Sequence, residues 1–278
     1  MRYQYTSTGF RSNQLPSNSS QNYGVKLILT LNITLFFIIE LSGHKNIFIV
    51  LFGLVPNMVL FQLKIWQLFT YMFIHGGIFH IFFNMLVLWI FGKDLENKWG
   101  TNDFLFFYLL CGVFSGFMTA IIGYNSLIPI VGASGAMYGI LVAYGYSYPN
   151  KIVYLYGLFP IKVKYMVLAL GIIAFIASLN NNYTNISHIT HLFGMIIGLV
   201  LIYYNIKLSR IKMIYFKYKM QKVIGRNLEK NKHALIMKKR VNQILDKINN
   251  EGWENLDDES QKYLYNASKQ LYKDYNPN

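Results

Sequence analysis

The chain has 278 residues, of which 54% are hydrophobic, 17% aromatic and only 14% charged, with a formal net charge of +14 and a single cysteine, Cys111. A soluble domain of this size carries about 25% charged residues. A soluble enzyme is therefore excluded, as are an intrachain disulfide and a cysteine-based metal site.

Residues 1–24 are rich in Ser, Asn and Gln and are expected to be disordered. They hold no apolar stretch, so no cleavable leader is expected and the first hydrophobic segment serves as an anchor that stays. That segment runs from about Lys26 to Leu41 and carries Asn32 inside it. The long connection from Gly43 to Phe73 contains Trp66 and several apolar residues; it is expected to lie in the interface and pack on protein. The second segment runs from about His75 to Phe91 and is expected to end in a charged turn, Lys93 to Lys98. The third covers Asp103 to Ile122. The fourth, Ser134 to Tyr148, is short and rich in glycine, and Pro149-Asn150-Lys151 stops it. The fifth covers Tyr165 to Leu179, and the polar loop Asn180 to Asn185 leads to the sixth, Ser187 to Tyr204. Apolar runs of roughly 17–20 residues suit helices crossing a bilayer, and their continuity argues against a β-barrel. The expected fold is an all-α, polytopic bundle of six transmembrane helices over residues 25–206.

Charge sets the orientation. Arg2, Arg11 and Lys26 precede the first span. Lys93 and Lys98 follow the second; Lys151, Lys162 and Lys164 follow the fourth; Lys207, Arg210 and Lys212 follow the sixth. Under alternating spans these fall on one side, and the opposite loops carry only Lys45 and Lys64. Both termini are therefore expected in the cytoplasm. The basic tail points to lipid rather than to nucleic acid.

This orientation brings three polar sites to one depth. Spans two, four and six all enter from the outer side, with His75, His80 and Asn84, then Ser134, then His188 and His191 near their starts. Gly135 and Gly139 form one small-residue face on span four, and Gly194 and Gly198 form another on span six. Such faces let helix backbones meet closely in lipid. Their contact is expected to bring Ser134 to His191.

A serine becomes a nucleophile when a neighbouring base takes its proton, and imidazole suits that task. Ser134 and His191 form the expected pair, with His188 the rival base. Neither has an acidic residue nearby in the outer half of these spans, so a dyad rather than a triad is expected. Tyr138, one turn past Ser134, can hold the imidazole. His80 and Asn84 share a helical face and can donate to an oxyanion, together with the free N–H of Ser134. Gly132 leaves room for a peptide. His75 is expected to hydrogen-bond loop backbone. A metal site from His75, His80, His188 and His191 would leave Ser134 and Asn84 without a role, so no metal and no cofactor are expected.

The stretches Trp66 to Gly77, His80 to Asn84, Gly132-Ala133-Ser134-Gly135 and His188 to Gly198 resemble the rhomboid family of intramembrane serine proteases. The resemblance implies Ser134 as nucleophile, His191 as base, and His80 and Asn84 at the oxyanion. It also implies a partly embedded first loop and gating of substrate entry by span five and the loop before span six. Trp66-Gln67 stands where the family often has Trp-Arg. The implied activity is cleavage of transmembrane protein substrates near the outer face of a bacterial inner membrane. The alternative is a non-catalytic membrane chaperone on the same scaffold.

Residues 207–240 are expected to form a basic juxtamembrane helix. Residues 241–278 are expected to form a small helical hairpin broken at Asn250-Glu251-Gly252; nothing in them names a partner.

Overall fold

The computed structural model describes residues 22–155, 158–179 and 185–275. Of residues 1–24, expected to be disordered, the first 21 lie outside these, as does the loop at 180–184, whereas Tyr23 and Gly24 are already helical. Contact clustering divides the chain into two compact units, Met1–Ile211 and Lys212–Asn278.

Among the described residues the first unit is built of helices and one hairpin. Helix α1 (Tyr23–Leu41) starts three residues before Lys26, where the segment was expected to begin. Its first turn is capped from elsewhere in the chain. The fully buried Glu96 accepts the N–H groups of Gly24 and Val25, each at 2.8 Å, and the hydroxyl of Thr101 at 2.6 Å. A carboxylate at a helix N-terminus satisfies orphan donors and complements the dipole.

The connection after α1 is folded rather than loose. It forms α2 (Lys45–Phe52), α3 (Pro56–Phe61) and α4 (Gln67–Thr70). Gln67, wholly buried, knits them: its amide N–H donates to the carbonyls of Val50 and Leu51 at 3.0 and 3.3 Å, and its carbonyl accepts from Val55 at 3.0 Å. The Trp66 indole donates to Leu51 at 3.0 Å. Beyond α4, Tyr71 and Met72 press into α7 (Thr101–Ile122) at Gly116 and Gly112, where any β-carbon would collide with them. Those two glycines are the seat of the first loop.

The second span differs from expectation at its inner end. Helix α5 (Ile78–Val87) passes through a π-helical turn, Leu88–Gly92, into α6 (Lys93–Trp99). The charged stretch Lys93 to Lys98 is therefore a continuation of the helix, not a turn; Gly100, at φ +84°, ends it. Burial of Glu96 and pairing of Asp94 explain why charges are tolerated there. Asp94 accepts from the Tyr144 hydroxyl and from the Lys151 ammonium, both at 2.7 Å. The Asp94 carboxylate and the Tyr144 hydroxyl hold the pKa of Lys151 above the ordinary lysine range.

Helix α8 (Ser134–Ser147) is apolar on every side and almost entirely buried, between α7, α10 (Asn185–Tyr203) and α9 (Val163–Leu179). Between α8 and α9 stands an antiparallel hairpin, β1 (Ile152–Leu155) and β2 (Phe159–Lys162), with Ile152 paired to Lys162. The sequence reading did not foresee it. Among the described residues, α1, Ile78–Trp99 and α7 are each long and apolar enough to cross a bilayer alone, and α10 qualifies when counted with the helix after it. Helix α9 is shorter, at 17 residues, and α8 has 14.

The second unit is carried by α11 (Leu208–Glu251), which starts in the first unit, and α12 (Asp258–Tyr275). Helix α11 runs unbroken through residue 240, where a boundary was expected; Gly252, at φ +83°, ends it. Ile244, Leu256 and Ala267 are the buried apolar residues of this unit among those described. Arg240 bridges to Glu259 at 3.1 Å and lies over the Tyr263 ring. Asp257 caps α12, accepting the Ser260 N–H and hydroxyl at 3.0 and 2.8 Å.

Candidate active site

The glycine faces of α8 and α10 meet as their spacing requires. A β-carbon on Gly194 would overlap the Gly135 carbonyl, and one on Gly198 would lie 3.0 Å from the Gly139 α-carbon. Backbone therefore rests on backbone. This approach carries residue 191 of one helix to residue 134 of the other.

The result is a direct contact. His191 Nε2 lies 2.8 Å from Ser134 Oγ. The Tyr138 ring is stacked on the imidazole, with centroids 4.4 Å apart and planes 10° from parallel. His188 meets His191 edge-on at 5.9 Å between centroids. The two histidines are thus distinguished by geometry: one is bonded to the serine and the other borders it.

The space beside this pair is a pocket of about 410 Å³. His80, Asn84, Ser134, Tyr138 and His191 all line it; Phe79, Phe83, Val87, Met137, Leu141 and Leu170 complete the wall. His80 Nδ1 accepts the Gly76 N–H at 3.4 Å, which favours the tautomer with the proton on Nε2. That nitrogen faces Gly132, where an added β-carbon would stand 2.5 Å from it. Gly132 also has φ +115°, and its N–H donates to the Tyr71 carbonyl at 2.9 Å. Glycine is required there twice, for the backbone and for the imidazole. Asn84 donates one amide N–H to the His80 carbonyl at 2.8 Å and keeps a second N–H.

His75 lies outside the pocket wall. It is buried beneath His80, ring to ring at 5.2 Å, and neither of its nitrogens meets a hydrogen-bond partner among the described residues. The backbone of Phe73, in the loop before α5, lies close enough to act on its imidazole. Among the described residues no group of three or more His, Cys, Asp or Glu side chains is arranged to hold a metal ion.

The sequence reading missed what stands behind the pair. The Tyr71 hydroxyl donates to the Gly112 carbonyl at 2.7 Å and lies 3.2 Å from Ser115 Oγ. Thr119 donates to Thr190 Oγ1 at 3.0 Å. Thr190 immediately precedes His191, so this buried polar strip ties α10 to α7 directly behind the imidazole. Isolated Ser and Thr in an apolar span carry no periodic signal that would have marked them.

The loop entering α8 is likewise tied down. Leu54 and Ile130 exchange two backbone hydrogen bonds of 2.8 Å, and Asn57 donates to the Ser126 carbonyl at 3.1 Å. The first loop thus supports the strand of chain that delivers Ser134.

The model of the Rhomboid domain matches residues 62–208. The chain is 35% identical over 119 residues to Rhomboid protease GluP of Bacillus subtilis, a match covering 42% of this chain and 23% of that protein. It is 34% identical over 87 residues to RHOMBOID-like protein 1 of Arabidopsis thaliana, covering 31% and 22%. It is 25% identical over 148 residues to Rhomboid protease GlpG of Yersinia pestis, covering 53% and 50%. The matches therefore span half or less of these relatives' own lengths. With the domain model covering more than half of the chain, and every span of that domain present as a helix around the Ser134–His191 contact, this chain belongs to the rhomboid family of multi-pass membrane proteins.

Proposed function

We propose that the protein is an intramembrane serine endopeptidase that hydrolyses peptide bonds of transmembrane protein substrates near the outer membrane face. The observation that carries the reading is the 2.8 Å approach of His191 Nε2 to Ser134 Oγ inside a pocket with two further donors. Relatives named as rhomboid proteases support it.

In this reading Nε2 of His191 takes the Ser134 proton as Oγ attacks the scissile carbonyl. The imidazolium then returns that proton to the leaving amine, and water hydrolyses the acyl-enzyme by the reverse route. Tyr138 fixes the ring plane. The charge on the tetrahedral oxygen is met by His80 Nε2–H, the free Asn84 N–H and the Ser134 backbone N–H. Depth follows from length. The 14 residues of α8 reach about 21 Å, against a hydrocarbon core of about 30 Å. With its C-terminus at the lysine-rich face, Ser134 lies below the outer surface, so a substrate helix must unwind to reach it.

Both termini are assigned to the cytoplasm of a bacterial inner-membrane protein, on the distribution of lysine and arginine. The tail from residue 207 is read as a basic juxtamembrane helix followed by a hairpin.

The test uses the full chain in lipid nanodiscs. A fluorophosphonate probe should label the wild type and cleavage of a model transmembrane substrate should proceed. Ser134→Ala and His191→Ala should lose both, while His188→Ala keeps most of each. A wild type that neither labels nor cuts would reject the enzyme and leave a non-catalytic membrane-helix binder.

A further inference from the structure

The end of the bundle opposite Ser134 holds a second pocket, of about 380 Å³, within the size range of small-molecule sites. It is walled by the inner ends of α6, α7, α8 and α10 and by the connection 205–207. Its lining mixes polar groups with an aromatic and aliphatic wall. Trp99 meets Phe107 edge-on, with centroids 5.1 Å apart, and Leu201 is buried beside them.

The rim is cationic. Lys98 and Lys207 belong to the wall. Arg210 is held at the same edge, where its guanidinium reaches the carbonyls of Tyr204 and Asn205 at 3.4 Å. The carboxylate in the wall, Asp103, is already engaged, accepting the Ser209 N–H at 2.9 Å and its hydroxyl at 2.7 Å. Two lysines in the wall and an arginine beside it therefore stand next to a partly aromatic slot whose one carboxylate is committed. This is the end of the bundle where Lys93, Lys151 and Lys164 also gather.

We propose that this pocket binds an anionic phospholipid of the lysine-rich leaflet. An acyl chain enters against Trp99, Phe107 and Leu201, and the headgroup phosphate meets Lys98, Lys207 and Arg210. Basic pockets between membrane helices favour such headgroups because each cation beside an anionic surface contributes attraction that a net-neutral headgroup does not return. The assignment is independent of the hydrolase reading, since lipid retention can be measured without any turnover.

The full chain, delipidated in detergent, is incubated with phosphatidylglycerol or phosphatidylcholine and bound lipid is counted by native mass spectrometry. Phosphatidylglycerol should be retained preferentially. Lys98→Gln with Lys207→Gln should lower that retention about thirty-fold, the loss expected for two cations near an anionic leaflet. Lys98→Arg with Lys207→Arg should keep it. Phosphatidylglycerol brominated on its chains should also quench a component of the wild-type fluorescence that Trp99→Phe lacks, a readout that needs no altered lysine. Equal retention of the two lipids, unchanged retention in the glutamine variant, or identical quenching in wild type and Trp99→Phe would each overturn the site.

Discussion

Tyr138 shows how one side chain one helical turn from Ser134 can govern a residue 53 positions further along the chain. Its ring lies nearly parallel to the His191 imidazole at 4.4 Å, so it restricts rotation of the ring whose Nε2 must face Ser134 Oγ. The hydroxyl is not part of that contact. Tyr138→Phe is therefore expected to retain probe labelling. Tyr138→Ala should slow it by about ten- to a hundredfold, the cost of a misaligned reacting group. The loss should fall on kcat more than on KM in a substrate assay, because the substituted residue orients the His191 imidazole instead of binding a peptide. His188, edge-on to the same ring, lacks the serine contact. The sequence offered the two histidines as rivals, and their different distances to Ser134 Oγ are a property of the helix packing.

At the scale of elements, two joints hold the site. The first is the bare backbone contact of α8 with α10. Gly194→Ala would drive a methyl group into the Gly135 carbonyl, and the helices must part to admit it. The expected cost is about 1–3 kcal/mol of stability, as for overpacking elsewhere. It should be read as a lower thermal midpoint in detergent together with loss of probe labelling, since the same shift separates Ser134 from His191. The second joint is the first loop. Gln67→Ala would strand the buried Val55 N–H and free the part-buried Val50 carbonyl. Unsatisfied buried groups cost about 1–3 kcal/mol each. Proteolysis confined to residues 43–66 should accelerate while the helices stay protected; uniform protection would show that the loop is held by other contacts. Trp66-Gln67, which departs from the family's frequent Trp-Arg, is thus compatible with a firmly anchored loop, because a neutral amide can pair with backbone on both of its ends.

Over the whole molecule, the testable statement is orientation. Cys111 is fully buried, so the wild type should resist an impermeant maleimide in intact cells. Single cysteines introduced at Lys64 and Lys151 should then report opposite faces: Lys64→Cys labelled from outside, Lys151→Cys only after lysis. The reverse pattern would invert the topology and with it the side from which substrates reach Ser134. The order of the apolar helices was legible in the chain, because a bilayer demands long apolar runs. The pairing of Ser134 with His191 was legible too, through glycines at four-residue spacing on both helices. Other features were not. The helical continuation through Lys93 to Lys98 depends on Glu96 finding the N-terminus of α1, 71 and 72 residues earlier in sequence. The clamp by Gln67, the polar strip from Tyr71 to Thr190 and the hairpin β1–β2 likewise arise from single polar or short segments whose partners lie far along the chain. Periodicity speaks for a helix and for the face it buries; a lone buried hydrogen bond has no period, and only the folded chain decides where it is made.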